Sequence, residues 1–131
     1  MTFVLLPLAL LAAGCGSSNS TTTPTTSGHT VQTFNGTLQP SGSDTYDFTT
    51  GISGEVTVTL TNAGPPSNVT LGLGVGTPNG SACTLILAQS VTAANIAQIA
   101  SSADPGSYCI SVFDAGSLTA PVNYTVVLSH F

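Results

Sequence analysis

Apolar and polar side chains alternate along much of the chain from Val31 onward, which is the pattern of β-strands buried on one face. Residues 56–60 show it most clearly, because Val and Leu alternate there with threonine. Further segments of this kind are residues 31–34, 46–48, 69–75, 85–87, 108–112 and 124–128. Many short strands that follow one another at close spacing predict an all-β protein, an antiparallel β-sandwich.

Turn-forming residues separate these predicted strands. Clusters of Gly, Pro, Asn and Asp occur at residues 51–54, 62–68, 78–80, 104–106 and 114–116. Asn35-Gly36 is a further turn or bulge signal within the first strand. Residues 90–102 are ambiguous, since their alanines favour a helix whereas the surrounding pattern favours a strand or extended chain that carries Ile96 away from the core. We predict the strand.

The beginning of the chain has a different pattern. Residues 3–13 form an apolar run of about eleven residues, which is short for a transmembrane helix of about 20 residues but typical of a signal peptide. The run ends in the sequence Leu11-Ala12-Ala13-Gly14-Cys15. Small residues directly before a cysteine resemble the lipobox of bacterial lipoproteins, although Ala12 replaces the commonest leucine and no basic residue precedes the run.

This resemblance implies that residues 1–14 are a lipoprotein signal peptide and that Cys15 becomes the lipid-bearing first residue of the mature chain. Two or three acyl chains hold a protein durably on a membrane, whereas one chain holds it marginally. Lipoproteins retained at the inner membrane carry Asp after the cysteine, but here Gly16 follows it. The resemblance therefore implies an exported protein anchored in the cell envelope at the outer membrane. The alternative is a plain secretory signal with an incidental cysteine.

The next segment is rich in Ser and Thr. Residues 17–30 contain no apolar side chain, so nothing compensates the entropy cost of ordering them. We predict three parts: the signal peptide 1–14, a lipidated and flexible tether over 15–30, and one β-sandwich domain over 31–131. His29 falls in the tether, and we expect it to be solvated.

The charge composition excludes several classes of partner. The chain has no Lys or Arg, five acidic residues and a net charge of −5, with 41% hydrophobic residues. Without cations it cannot neutralise phosphates, which excludes nucleic acid. For the same reason the protein has no basic patch with which to bind an anionic membrane, so its membrane contact depends on the lipid.

Several stretches resemble one known family. Residues 34–38 (Phe-Asn-Gly-Thr-Leu), 43–48 (Ser-Asp-Thr-Tyr-Asp-Phe) and 54–60 (Gly-Glu-Val-Thr-Val-Thr-Leu) occur in succession. They resemble the opening of the bacterial pre-peptidase C-terminal domain, and residues 105–112 and 123–128 are similar to its later strands. The resemblance covers residues 33–130. It implies a jelly-roll-like β-sandwich, as found on secreted proteases, with an accessory or binding role.

Calcium is the candidate metal that this resemblance implies, because related collagen-binding domains bind calcium. The candidate carboxylates are Asp44, Asp104 and Asp114, and calcium takes six to eight oxygen ligands, usually from several carboxylates close together. Among the acids Asp44 and Asp47 are close in sequence, but their spacing of three on a strand places them on opposite faces. We expect Asp47 in solvent, no calcium site and no cofactor other than the covalent lipid.

Cys83 and Cys109 remain once Cys15 is assigned to the lipid. An even pair of cysteines in an exported domain predicts a disulfide. The alternative is two free thiols. A redox role is not favoured, since the chain has no Cys-x-x-Cys motif and no cation that would lower a thiol pKa.

The residues that catalysis needs are scarce. A Ser or Cys nucleophile needs a base, generally His, but His29 falls in the tether and His130 is the penultimate residue. We expect neither histidine to be fixed by packing on both sides. Glu55, the one glutamate, falls on the exposed face of its predicted strand. We therefore predict that the protein is not an enzyme.

Two classes of function remain. The first is a cell-envelope binding or interaction module for a protein or glycan, with the loops 62–68 and 78–82 as candidate contact surfaces. The second is a purely structural surface lipoprotein, or an accessory remnant of a secreted peptidase architecture.

Overall fold

The structure, a computed structural model, describes residues 22–24 and 28–131. This part of the chain consists of β-strands and loops. The strands are β1 (Thr22–Pro24), β2 (Thr30–Leu38), β3 (Ser43–Thr50), β4 (Gly54–Gly64), β5 (Leu71–Asn79), β6 (Ala82–Val91), β7 (Ile99–Ala103), β8 (Gly106–Phe113) and β9 (Val122–His130). No helix in the described part is long and apolar enough to cross a membrane. The predicted signal peptide and Cys15 lie outside the described residues.

The strands form two antiparallel sheets that pack face to face. One sheet has the order β1-β2-β9-β4-β7 and the other the order β3-β8-β5-β6. Apart from the short β1, consecutive strands lie in opposite sheets, except that β5 and β6 are neighbours in the smaller sheet. This connectivity is that of a jelly roll, in which two Greek keys are folded together. The predicted jelly-roll-like β-sandwich is confirmed.

The core lies between the two sheets and is built from the alternating apolar positions. In β4, Val56, Val58 and Leu60 are buried, as are Val126 and Leu128 in the neighbouring β9. The opposite sheet contributes inward residues from each of its strands: Phe48, Leu71, Leu73, Val75, Val91, Ile110 and Val112. Each buried aliphatic or aromatic side chain stabilises the fold by about 1.5–3 kcal/mol relative to exposure, so this interface dominates the favourable free energy of folding.

The Asn35-Gly36 pair forms neither a turn nor a bulge, so this expectation is wrong. β2 runs through it without interruption, and Asn35 and Gly36 pair with Thr125 and Tyr124 of β9. The glycine has a packing reason instead, because a Cβ atom at Gly36 would overlap the Tyr124 ring. The local sequence signal for a turn is overridden by a close approach from the neighbouring strand.

Part of the predicted flexible tether is ordered. Thr22–Pro24 pairs with Thr30–Gln32 of β2 and adds a short edge strand to the larger sheet. His29 packs its ring on Phe131 at a centroid distance of 3.8 Å. The expectation of a solvated His29 is therefore wrong. Backbone pairing along an open sheet edge can order a segment that has no apolar side chains.

Residues 90–102 contain no helix, but the predicted strand is interrupted, because residues 92–98 belong to no strand. β6 ends at Val91 and β7 begins at Ile99, and the connecting chain is held on β4 by the Gln98 side chain. That amide accepts a bond from the Leu60 N–H at 2.7 Å and donates one to the Leu60 carbonyl at 3.2 Å. Ile96 is 78% exposed, as predicted for a side chain carried away from the core.

Leu85 and Leu87 do not lie in the core, although the alternating pattern predicted them there. Both lie on β6, where Leu85 is 36% and Leu87 is 41% exposed. The register between β5 and β6 shifts between Val75 and Gly76, so Ile86 is an additional residue on β6. This β-bulge breaks the alternation that the sequence pattern assumed.

Cys83 and Cys109 form a disulfide with a Cα–Cα distance of 5.9 Å. Cys109 on β8 is fully buried, and Cys83 lies on β6, two strands away across β5. The bond therefore ties the edge strand of the smaller sheet to its centre. The predicted pairing is confirmed.

Candidate functional site

The outer face of the larger sheet carries uncharged amide and hydroxyl side chains in register. Asn35, Thr125 and Asn62 lie in one row across β2, β9 and β4. Thr37, Asn123 and Gly64 lie in the next row of the same three strands. Adjacent strands are about 4.8 Å apart and alternate residues about 6.8 Å apart along a strand, so these groups form a small regular array.

Two of these amides are oriented by hydrogen bonds from the neighbouring strand. The Thr37 hydroxyl donates to Oδ1 of Asn123 at 2.8 Å. The Thr125 hydroxyl donates to Oδ1 of Asn35 at 2.7 Å. Because each bond fixes the carbonyl oxygen, the two NH₂ groups point away from those threonines. Asn35 and Asn123 therefore offer preorganised donors at the surface.

The array is concave. Its two rows and the Gly36–Tyr124 pair line a groove of about 570 Å³. Gly64 has no side chain, which leaves a gap in the second row beside Asn123. No acidic residue lines the groove, and its wall presents both hydrogen-bond donors and acceptors. A neutral ligand that carries several hydroxyl groups matches this chemistry best.

The Tyr124 side chain connects this groove to a hydrogen-bond chain inside the sandwich. Its hydroxyl donates to Oδ2 of Asp44 at 2.6 Å, and the Tyr46 hydroxyl lies 2.5 Å from it. Since the one Tyr124 proton goes to Asp44, Tyr46 donates to Tyr124. The Tyr46 ring stacks on Phe34 at a centroid distance of 4.4 Å. These contacts join the two sheets below the groove.

Burial is the main cause that raises the pKa of Tyr124 above its ordinary value of 10.0, and its bonds with Asp44 and Tyr46 add to the effect. The folded state therefore favours the neutral phenol. The phenol acts as a donor that positions the Asp44 carboxylate.

The two loops predicted as contact surfaces lie in different places. Asn62 and Gly64 belong to β4 and line the polar groove, whereas residues 65–68 lie beyond the strand. From the second loop, Ser81 and Ala82 line a separate open cavity of about 530 Å³ beside β3. The structure thus brings part of the first predicted loop, but not the second, to the groove.

The three carboxylates considered for calcium do not come together. Asp44 bonds to Tyr124, Asp104 accepts a 3.3 Å bond from the Ser53 hydroxyl, and Asp114 is surrounded by backbone N–H groups. Among the described residues no cluster of three or more His, Cys, Asp or Glu side chains could hold a metal ion. Asp47 is exposed, as predicted.

Asp114 organises the loop that follows β8. Its Oδ1 accepts bonds from the N–H groups of Gly116, Ser117 and Leu118 at 2.8–3.2 Å. Its Oδ2 accepts a 2.8 Å bond from the Ser41 N–H on another loop. The Ser41 bond, followed by the Gly116 bond, lowers the pKa of Asp114 below its ordinary value of 3.8.

A lowered pKa means that the folded state favours the ionised carboxylate, so this contribution to stability is present above pH 3.8 and is lost as the pH falls further. We expect Asp114→Asn to reduce the urea midpoint at pH 7 and to weaken the loss of stability between pH 4 and pH 2. The matched control is Asp47→Asn on the exposed face of β3, which should retain the wild-type acid dependence. An unchanged acid dependence in Asp114→Asn would contradict this assignment.

Both histidines are held by packing, contrary to expectation. His130 is 5% exposed, its Nε2 lies 3.1 Å from the Gln32 side-chain oxygen, and its ring packs near Phe48. His29 contacts Phe131, and its Nδ1 lies 3.4 Å from the Ser129 hydroxyl. Glu55 is exposed on β4, as predicted.

No protein-family model matches the chain, and no curated protein matches it.

Proposed function

We propose that this protein is an exported, lipid-anchored and non-catalytic binding module that takes a neutral, hydroxyl-rich ligand such as a glycan in the polar groove. The observation that carries the proposal is the pair of oriented amides, Asn35 and Asn123, on a concave uncharged surface. Amide donors and threonine hydroxyls together complement the donor and acceptor capacity of sugar hydroxyls.

Charge favours a neutral ligand over the alternatives. The chain has a net charge of −5 and no Lys or Arg, so an anionic polysaccharide is repelled. A strongly cationic ligand would be drawn to the acidic residues, and none of these lines the groove. The groove is open and has no exposed aromatic ring at its floor, so we expect weak binding at a single site.

Lipid anchoring at Cys15 supports such a role. Copies held on one membrane present many grooves to the same polymer, and this multivalency raises the apparent affinity by orders of magnitude over one site. The resemblance to pre-peptidase C-terminal domains, which are accessory parts of secreted proteins, is in keeping with this proposal.

Anchoring is tested by fractionation of bacteria that express the full chain. We expect the wild-type protein in the membrane fraction and Cys15→Ser in the soluble fraction, because the serine variant cannot receive the thioether-linked lipid. Cys83→Ser serves as a control for loss of a cysteine in general, and it should remain in the membrane fraction. Equal partition of wild type and Cys15→Ser would contradict the anchor.

Ligand binding is tested on an array of neutral polysaccharides, with alginate as the anionic comparison and the full chain carrying Cys15→Ser as the soluble probe. We expect binding to a neutral polysaccharide and none to alginate. Asn35→Ala and Asn123→Ala should each weaken it about tenfold, which corresponds to about 1.4 kcal/mol.

The matched control for these variants is Asn95→Ala, since Asn95 is equally exposed but lies in the chain between β6 and β7. It should bind like the parent. Binding to none of the neutral polysaccharides, or equal binding by all three variants, would overturn the proposed groove and favour a structural role.

A further inference from the structure

We propose that Asn79 is a site of spontaneous deamidation, in which its side-chain amide becomes a carboxylate by way of a cyclic imide. Asn-Gly is the dipeptide in which this reaction is easiest, because glycine has no side chain to obstruct the approaching amide. The chain contains two such pairs, Asn35-Gly36 and Asn79-Gly80. Only the second should react in the folded protein, whatever the polar groove binds, because the backbone of the two pairs is held differently.

The reaction joins two atoms of neighbouring residues. The backbone nitrogen of Gly80 attacks the side-chain amide carbon of Asn79, and the bond between that carbon and its NH₂ group breaks. Ammonia leaves with the proton that the backbone nitrogen gives up. Water then opens the imide ring at either of its two carbonyls, which yields aspartate or isoaspartate. Water is thus the co-reactant that the conversion needs.

Asn79 is the last residue of β5 and lies at the tip of the β5–β6 hairpin. It pairs with Ala82, and Gly80 and Ser81 form the two-residue loop between them. Gly80 has a φ of 65°, and a Cβ atom at this position would meet nothing within 4 Å. Asn79, Gly80 and Ser81 are all exposed. The space in which the ring must close is therefore open.

The reacting groups of this pair are not restrained by hydrogen bonds. Within the described part of the chain, neither the Asn79 side chain nor the Gly80 N–H has a hydrogen-bond partner. Asn79 also belongs to the last pair of its ladder, and the ends of an element open at the lowest free-energy cost. Ring closure there disturbs the tip of one hairpin and leaves the core of the sandwich intact.

Asn35-Gly36 has the same sequence in a restrained setting. Asn35 is exposed as well, so access to water does not distinguish the two sites. Its side-chain oxygen accepts the 2.7 Å bond from Thr125, and both residues of the pair lie within the β2–β9 ladder. Ring closure requires a backbone rotation at Asn35 that would break this bond and the strand register. The contacts that orient this amide therefore also protect it.

The product differs from the parent chain in charge and in backbone length. A carboxylate at position 79 adds one negative charge to a chain whose net charge is already −5, and isoaspartate adds a methylene group to the backbone of the hairpin tip. The neighbouring Ser81, Ala82 and Cys83 line the open cavity beside β3. The change therefore occurs beside that cavity, whereas the polar groove lies on the other sheet.

Peptide mass spectrometry of the full chain carrying Cys15→Ser, incubated at pH 8, tests this reaction. We expect Asn79 to gain the mass difference between an amide and a carboxylate. Asn35 should do so roughly tenfold more slowly or less, because opening even one hydrogen-bonded pair lowers the reactive population by about that factor. Digestion with pepsin in acid limits further deamidation during the measurement. Isoaspartate, detected with protein isoaspartyl methyltransferase, distinguishes cyclisation from direct hydrolysis.

The same chain in urea is the control for sequence, since both Asn-Gly pairs should react at similar rates once the strands are unfolded. Asn79→Gln is the matched variant, because glutamine must close a larger ring. It should keep its amide at position 79 and leave the rate at Asn35 unchanged. Equal rates at Asn35 and Asn79 in the folded chain, or an Asn79 that reacts only in urea, would overturn the proposal. Loss of the Asn79 amide without isoaspartate would overturn the cyclic imide.

Discussion

Replacement of both Cys83 and Cys109 by alanine is expected to lower the free energy of unfolding by about 3 kcal/mol, because the disulfide restricts the unfolded chain. The bond joins residues separated by 26 positions, and loop-closure entropy makes a cross-link of this length effective. A small domain has a total stability of about 5–15 kcal/mol. Loss of the bond therefore removes a large share of it.

Urea unfolding at pH 7 measures this effect, with Cys15→Ser in every chain to prevent exchange with the third cysteine. The parent chain in reducing agent should approach the stability of the double variant, since both lack the cross-link. The double variant itself should not respond to reducing agent. A difference in stability below about 0.5 kcal/mol, which is ordinary for a neutral surface substitution, would contradict the structural role of the disulfide.

Tyr124→Phe should lower the free energy of unfolding at pH 7 by about 1–3 kcal/mol, because it removes the donor of a half-buried carboxylate. Asp44 then loses its 2.6 Å bond, and Tyr46 loses the oxygen that accepts its proton. The ring and its packing over Gly36 are retained in the variant. The expected loss is therefore that of the hydrogen-bond chain alone.

The same residue makes the stability of the protein sensitive to alkali. The pKa of Tyr124 is raised in the folded state, so its contribution is complete below its ordinary pKa of 10.0 and declines as the pH rises above it. The decline should be about 1.4 kcal/mol per pH unit for one proton, and it should be absent in Tyr124→Phe. Tyr108→Phe is the matched control, since that hydroxyl donates to the Asp104 carbonyl. An alkaline decline that persists in Tyr124→Phe would contradict the buried phenol.

The strands were predictable wherever one face is buried and the alternation is unbroken. β4 follows directly from the spacing of Val56, Val58 and Leu60. β6 was predicted as a strand, but its exposure was not, because a bulge and the lack of a covering element are properties of the assembled sheets. The Asn35-Gly36 pair was misread for a related reason: its glycine fits the Tyr124 ring, a neighbour 88 positions along the chain.

The candidate groove could not be predicted from local sequence. Thr125 and Asn35 are 90 residues apart, and their contact exists because β2 and β9 pair in one particular register. A shift by one residue would turn these side chains to the other face of the sheet. The sequence did indicate the segment that contains Asn62, because its turn residues marked it as a surface loop. The burial of His130 could not be predicted from local sequence either. It is buried because it belongs to β9, which pairs with two neighbouring strands.

Intact mass spectrometry of the protein from the membrane fraction tests lipid anchoring most directly. We expect a mature chain that begins at Cys15 and carries diacylglycerol on its sulfur, with the Cys83–Cys109 disulfide intact. The same preparation of Cys15→Ser should contain no lipidated chain. A mature protein that begins at an unmodified residue other than Cys15 would contradict the anchor, and with it the presentation of the groove at a membrane surface.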